Sequence, residues 1–332
     1  MRVHRVAIVL LVFLLLAMPV LAHVPSFPEE NTTPEQAVQV PDPVKSWSFY
    51  DSLEEDQVKY YRLTMPAGER LRVGTFTPHT GQFTPSVVVM SPSLNTTASV
   101  PEGVTVPEGM GATVVEGDRP DTATYEPFTP SANFHTVGFS RPVETETTYV
   151  IAVYEPANRT GPVGVTIGYK EVWSLTEYLA VPFNVLRIHI WEGQHPLLVV
   201  GPILLTVLAG LGLFRRRWHG EWETTPLRVS LGTAGVLIAG TGANTAVQMG
   251  IALAKTGATP AALVTAVFVA VSFVAGVWVI RLALKPDCIL TTQRRIGLAT
   301  TGVFTLLVWA GFILGPAVLI GLAVIPSWVL KD

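Results

Sequence analysis

Residues 196–217 read PLLVVGPILLTVLAGLGLFRRR: an uncharged run from Pro196 to Phe214, followed at once by Arg215, Arg216 and Arg217. A helix needs about 20 apolar residues to cross the hydrocarbon of a bilayer, and this stretch supplies them. The basic cluster at its end marks the cytoplasmic side, because loops retained inside carry the excess of Lys and Arg. Further uncharged runs cover Val229 to Ala254, Pro260 to Ile280 and Ile296 to Leu330. The last would be about 50 Å long as one helix, so a single long span is expected, kinked near Pro316 or ending near Pro326.

Four transmembrane helices over 196–330 follow, at about 196–214, 229–254, 260–280 and 296–325. With the first span running inward, loops 215–228 and 281–295 are cytoplasmic and the C-terminus is extracytoplasmic. Arg228, Arg281, Lys285, Arg294 and Arg295 then share one side with the triple Arg, while the outer loop holds only Lys255. This is a multi-pass protein of the cell membrane, with membrane lipid as its first partner.

Composition agrees. Of the 332 residues, 49% are hydrophobic and 14% charged, against roughly a quarter charged in soluble domains. A net charge of −3 excludes a phosphate-coating surface, and nucleic acid is not an expected partner. The single cysteine, Cys288, excludes an intramolecular disulfide and a Cys-based zinc cage.

At the N-terminus, Met1 to Arg5 is basic, Val6 to Met18 is apolar, and Val20-Leu21-Ala22 ends the segment with small residues at −3 and −1. Residues 1–22 have the layout of a signal peptide whose removal leaves His23 first. The alternative is an uncleaved anchor, for which the apolar run is short. Residues 23–190 hold 20 acidic and 10 basic side chains. Three N-x-T sequons, at Asn31, Asn95 and Asn158, lie in this acidic half and are candidate glycosylation sites.

Residues 23–45, rich in Pro, Glu, Thr and Gln, are expected to form an extended tether. Over 46–172 short β-rich runs recur between Gly, Pro and Asp turns, the pattern of an all-β antiparallel sandwich of about eight strands. A long insertion from Ser91 to Asn133 breaks the rhythm and contains Val100-Pro101-Glu102-Gly103, repeated at Val106-Pro107-Glu108-Gly109. Tyr125 and Phe128 on this insertion are candidate ligand contacts, or else hold the loop down.

The stretch from Leu53 to Val73, with a polar turn, the paired Tyr60 and Tyr61, and a turn at Gly68, resembles the opening of the bacterial pre-peptidase C-terminal type of β-sandwich. Pro85 to Pro92 is similar to its next core strand, and Thr148 to Tyr154 with Gly164 to Tyr169 is similar to its closing hairpin. The resemblance covers about 100 residues and implies a non-catalytic module that assists binding or secretion. The overall layout also resembles uncharacterised prokaryotic multi-span membrane proteins.

Between sandwich and first span, residues 173–195 form an interfacial helical segment opened by the capping box Ser174-Leu175-Thr176-Glu177. Pro182 is expected to kink or break it. Trp173, Tyr178, Arg187, Trp191 and Glu192 suit a membrane interface, and with His189 and His195 they form either a ligand site or a collar of anchors. A mature His23 offers its amine and imidazole to copper, with a further imidazole from His79, His135, His189 or His195. Within the second span Thr241, Asn244, Thr245 and Gln248 share a helical face, for a transport path or for interhelical hydrogen bonds. Gly311 and Gly315 form a GxxxG pair for packing within the chain or for a helix-mediated oligomer.

Catalytic motifs of the G-x-S-x-G, H-E-x-x-H and P-loop types are absent from the sequence. The expected function is therefore a cell-surface binding module for an extracytoplasmic ligand or envelope partner, without enzymatic activity. An exported copper-binding protein and a small transporter subunit are the alternatives.

Overall fold

The structure is a computed structural model, and it describes residues 23–78, 81–96, 98–218, 225–285 and 288–326. The expected signal segment and His79 lie outside these residues. The chain divides into two compact units, a β unit of residues 23–126 and 132–178 and a helical unit of residues 127–131 and 179–326.

Eleven strands occur in chain order: β1 (Val24–Ser26), β2 (Val38–Gln39), β3 (Trp47–Leu53), β4 (Lys59–Met65), β5 (Arg70–Thr77), β6 (Ser86–Ser91), β7 (Gly111–Val115), β8 (Thr124–Glu126), β9 (Ser131–Pro142), β10 (Thr147–Tyr154) and β11 (Gly161–Ile167). One sheet has the order β1-β3-β11-β5-β9-β8 and the other β2-β4-β10-β6-β7. β1 pairs with β3, and β2 with β4, in parallel. Both sheets are therefore mixed, which corrects the fully antiparallel expectation. The two parallel strands come from the segment expected to be a loose tether, which lies along the sheet edges and covers hydrogen-bonding groups that a bare edge would leave open. Val24, Ala37, Val40 and Val44 of that segment are buried.

The alternation of strand side chains divides two apolar clusters. Tyr61, Leu63 and Met65 of β4 join Phe49, Val87, Val89, Ile151, Val163 and Val165 in a core built from both sheets. Tyr60 points the other way and packs with Val88, Met90, Val150 and Ala152 beneath Val100, Val104, Val106 and Met110. The repeated tetrapeptide explains this cover. Val104 donates to the Pro101 carbonyl and Met110 to the Pro107 carbonyl, each at 3.2 Å. Gly103 and Gly109 take φ of +86° and +76°, as the third position of a type II turn requires. Each turn lowers a valine onto the sheet, and Thr105 N donates to Tyr60 Oη at 2.8 Å.

Where the chain passes from one sheet to the other, Lys59 Nζ lies 3.1 Å from Asp51 Oδ1, both side chains under a tenth exposed. Tyr61 Oη donates to Asp51 Oδ2 at 3.0 Å. Burial, then the adjoining Asp51, push the Tyr61 phenol well above its ordinary range.

Among the described residues six helices follow: α1 (Leu175–Trp191), α2 (Pro196–Trp218), α3 (Pro226–Thr256), α4 (Ala262–Ala283), α5 (Thr292–Leu307) and α6 (Leu314–Val324). The capping box forms, Ser174 N donating to Glu177 Oε2 at 2.7 Å and Glu177 N to Ser174 Oγ at 3.3 Å. α1 runs through Pro182 without the break that was one of the two expectations, with the proline buried. Among the described residues, three helices are long and apolar enough to cross a membrane, α2, α3 and α4. α2 turns Leu197, Leu205, Leu208 and Leu211 outward, each more than 60% exposed, a surface costly in water and neutral against lipid chains. α3 and α4 meet through small residues: a Cβ on Gly276 would lie 2.6 Å from Ala239 N, and one on Gly235 2.9 Å from Ile280 N.

The fourth expected span is corrected. The run is broken between α5 and α6, where Trp309, Phe312 and Ile313 have positive φ, and Gly311 N donates to Thr241 Oγ1 of α3 at 2.9 Å. The arm then returns. Arg295, near the start of α5, donates through Nη1 to the carbonyls of Leu322 and Ala323 at 3.4 and 3.2 Å and also to that of Ile325. Gly302 permits the close approach, because a Cβ there would lie 2.7 Å from Ile320 Cγ1. Pro316 sits in the first turn of α6, where its missing N–H has no intrahelical partner to lose.

Candidate functional site

On the β unit, a groove of about 660 Å³ is lined by residues of β5, β9 and β11 together with His23. Its floor is low because Gly74, Gly138 and Thr166 stand where longer side chains would fill it. A Cβ on Gly74 would lie 2.7 Å from Thr166 Oγ1. His23 precedes β1, which fixes its backbone, and its Nδ1 is 2.5 Å from Ser46 Oγ. His135 comes from β9, beside the bulge at Thr75/Phe76, with its ring 5.9 Å from that of Phe76. Both imidazoles line the groove and keep an exposed edge.

Desolvation, with His135 adding to it, lowers His23 to about 4. Desolvation likewise lowers His135. Both rings are thus neutral near pH 7, the form that offers a lone pair to a metal. The Arg72 guanidinium lies 4.8 Å from the centre of the Tyr169 ring. Tyr169 Oη and Lys170 Nζ both donate to Glu69, and these bonds, Lys170 first, hold the Glu69 carboxyl below its ordinary value.

Of the five histidines with expected metal roles, the structure brings His23 and His135 to one groove. His189 and His195 belong to the helical unit. Among the described residues there is no group of three or more His, Cys, Asp or Glu able to hold a metal. A histidine-based site in the groove therefore needs a third nitrogen, which the amine of a chain starting at His23 would supply.

The aromatic loop candidates both take up packing positions, and Phe128 also lines a cavity of the helical unit. Tyr125 is buried on β8, and Phe128 packs on the helical core with its ring 5.8 Å from Phe268. Thr265 Oγ1 donates to the Pro127 carbonyl at 2.6 Å. Of the sequon residues, Asn95 and Asn158 are exposed. Asn31 is fully buried, with Nδ2 donating to the Tyr60 carbonyl at 3.4 Å, so the folded chain does not present it for glycosylation. Gly311 and Gly315 both lie against Ile238 of α3, packing within the chain.

Of the interfacial candidates, Trp173, Tyr178 and Trp191 are half-buried and Arg187 is exposed. Glu192 differs. Its Oε2 lies 3.0 Å from Nδ1 of the fully buried His189 and accepts from Gln194 Nε2 at 3.1 Å. Gln194 Nε2 also donates to Gln248 Oε1 at 2.8 Å, so part of the α3 polar stripe joins the end of α1. Sequence reasoning missed Gln194. The signal was the His189/Glu192 spacing of three ending an apolar helix, which places both on one face.

No protein-family model matches the chain, and no curated protein shows significant similarity to it.

Proposed function

We propose that the protein is a membrane-anchored cell-surface protein whose β unit is a non-catalytic binding module with the glycine-floored groove as its ligand site. The observation that carries this is the groove itself, about 660 Å³ and lined by two imidazoles, a size suited to a small ligand or an extended segment of an envelope partner. The resemblance to the pre-peptidase C-terminal type of sandwich supports the non-catalytic role. In this reading the β unit is exported and loops 215–228 and 281–295 face the cytoplasm. In the same reading, the return of α6 to the start of α5 supports a cytoplasmic position for residue 325, in place of the extracytoplasmic end expected from a fourth crossing.

The shared groove favours one specific ligand. Cleavage before His23 would create an amine beside its imidazole, and these two nitrogens with the His135 ring make a three-nitrogen set suited to copper(II). Chelation through the amine and Nδ1 would replace the Ser46 contact. The test is intact mass with metal analysis on full-length protein from its own membrane. The expected result is a chain beginning at His23 with about one copper per molecule, lost in His135→Ala and on adding one residue before His23. A different start, or no copper after loading, removes the copper assignment and leaves the groove as an organic or peptide site.

A further inference from the structure

The helical unit contains a second site, independent of the groove. A cavity of about 50 Å³ is lined by His189, Thr241, Asn244 and Gln248 on its polar side and by Phe268 and Trp309 among its apolar walls. His189 is 0%, Gln248 1% and Asn244 6% exposed. His189 Nε2, Asn244 Oδ1 and Gln248 Nε2 have no hydrogen-bond partner, nor do Glu192 Oε1 and Gln194 Oε1 next to them. Leaving a buried polar group unpaired is costly, so such a concentration at one place calls for a ligand.

The carboxylate sets the polarity. Glu192 accepts only, so Gln194 must turn its NH₂ group toward it, and that NH₂ in turn fixes the carbonyl of Gln248. His189 likewise directs Nδ1–H at Glu192, which makes its Nε2 an acceptor. These five atoms are four acceptors and one donor, and the Trp309 indole adds an N–H donor to the cavity wall. Glu192, bonded to His189 beside the lining, adds an acidic group, and the lining holds no Lys or Arg.

We propose that this cavity binds a small monovalent cation of the ammonium class. Ammonium carries the hydrogen-bond donors that the acceptors lack and the charge that Glu192 requires. The Phe268 and Trp309 rings are surfaces that attract such a cation. The volume admits an ion with a few waters and is too small for a sugar or an amino acid. The walls from α2, α4 and residues 308–312 contribute no Lys or Arg, and Arg187 of α1 is exposed.

The test is calorimetric titration of the full-length protein in lipid nanodiscs with methylammonium chloride, and with sodium chloride as control. The expected result is saturable binding of methylammonium alone. Glu192→Gln and Asn244→Leu should each lower affinity at least about tenfold, the effect of losing one charge-assisted bond or more. Absence of saturable binding, equal binding of sodium, or unchanged affinity in both variants overturns the proposal. Should Glu192→Gln fail to fold, Asn244→Leu and the sodium control on the native protein decide.

Discussion

The two units build their buried charged centres differently, although the β unit also keeps Asn31 Oδ1 and Asn133 Oδ1 without a partner. In the β unit the buried Lys59 meets Asp51, and the Asp51 carboxylate also accepts from Tyr61, so charge and hydrogen bonds close on themselves. In the helical unit His189, Glu192, Gln194, Asn244 and Gln248 each keep an atom without a partner within one small neighbourhood. A closed network specifies a fold, while an open one specifies a vacancy for something outside the chain.

The largest effect expected from this contrast is at Asp51. Asp51→Ala leaves Lys59 as a buried, uncompensated charge and strips the Tyr61 hydroxyl of its acceptor, and should destabilise the β unit by about 3–5 kcal/mol. Denaturant unfolding of the full-length protein, followed by β-sheet circular dichroism, measures it; a loss within about 0.5 kcal/mol would break the comparison. The helical counterpart should behave otherwise. Replacing Glu192 and Gln248 together by Leu removes two unpaired atoms but strips His189 Nδ1 and Gln194 Nε2 of their acceptors, so the loss of stability should stay at about 1–3 kcal/mol, below that of Asp51→Ala, while methylammonium binding disappears. A strong destabilisation would show that the open network is structural after all.

The smallest effect is one of pH in the groove. His23 titrates lower in the folded chain, at about 4, than at its ordinary 6.5. The stability it contributes is therefore fully present above about pH 6.5 and lost as pH falls toward about 4. Solvent screening at its exposed edge keeps the change small. The pH dependence of the β-unit unfolding midpoint should flatten over that window in His23→Gln.

Short β-rich runs between turn residues made the strands from Trp47 to Ile167 legible except β8, which lies in the stretch expected to be a loop, and hydropathy did the same for α2, α3 and α4, because both patterns record local burial. The break after Leu307 was not legible. It depends on the Thr241 hydroxyl meeting Gly311 N across 70 residues, and on an Arg295 clasp that looks, in sequence, like one more cytoplasmic charge. The tether misled for a related reason: Pro and Glu suggest an unfolded linker, yet a few apolar residues at wide spacing, Val24, Ala37, Val40 and Val44, sufficed to lay it along the sheets. Asn244 and Gln248 were visible as a stripe, but the carboxylate that gives them chemical direction lies in another helix segment, beyond any periodicity.

The returning arm also carries a consequence for biogenesis. α5 has 16 residues, about 24 Å of helix against a hydrocarbon core of about 30 Å, with Arg294 and Arg295 at its entrance. An insertion machine that met α5 alone would find a segment too short to release as a span. In the proposed topology the arm is expected to be stable in lipid only after α6 has been synthesised and its last carbonyls have reached Arg295, with α3 already in place to offer Thr241 as a template. Assembly of this membrane region should therefore finish as one late, concerted step, and a chain truncated before Leu314 should be retained by quality control rather than delivered.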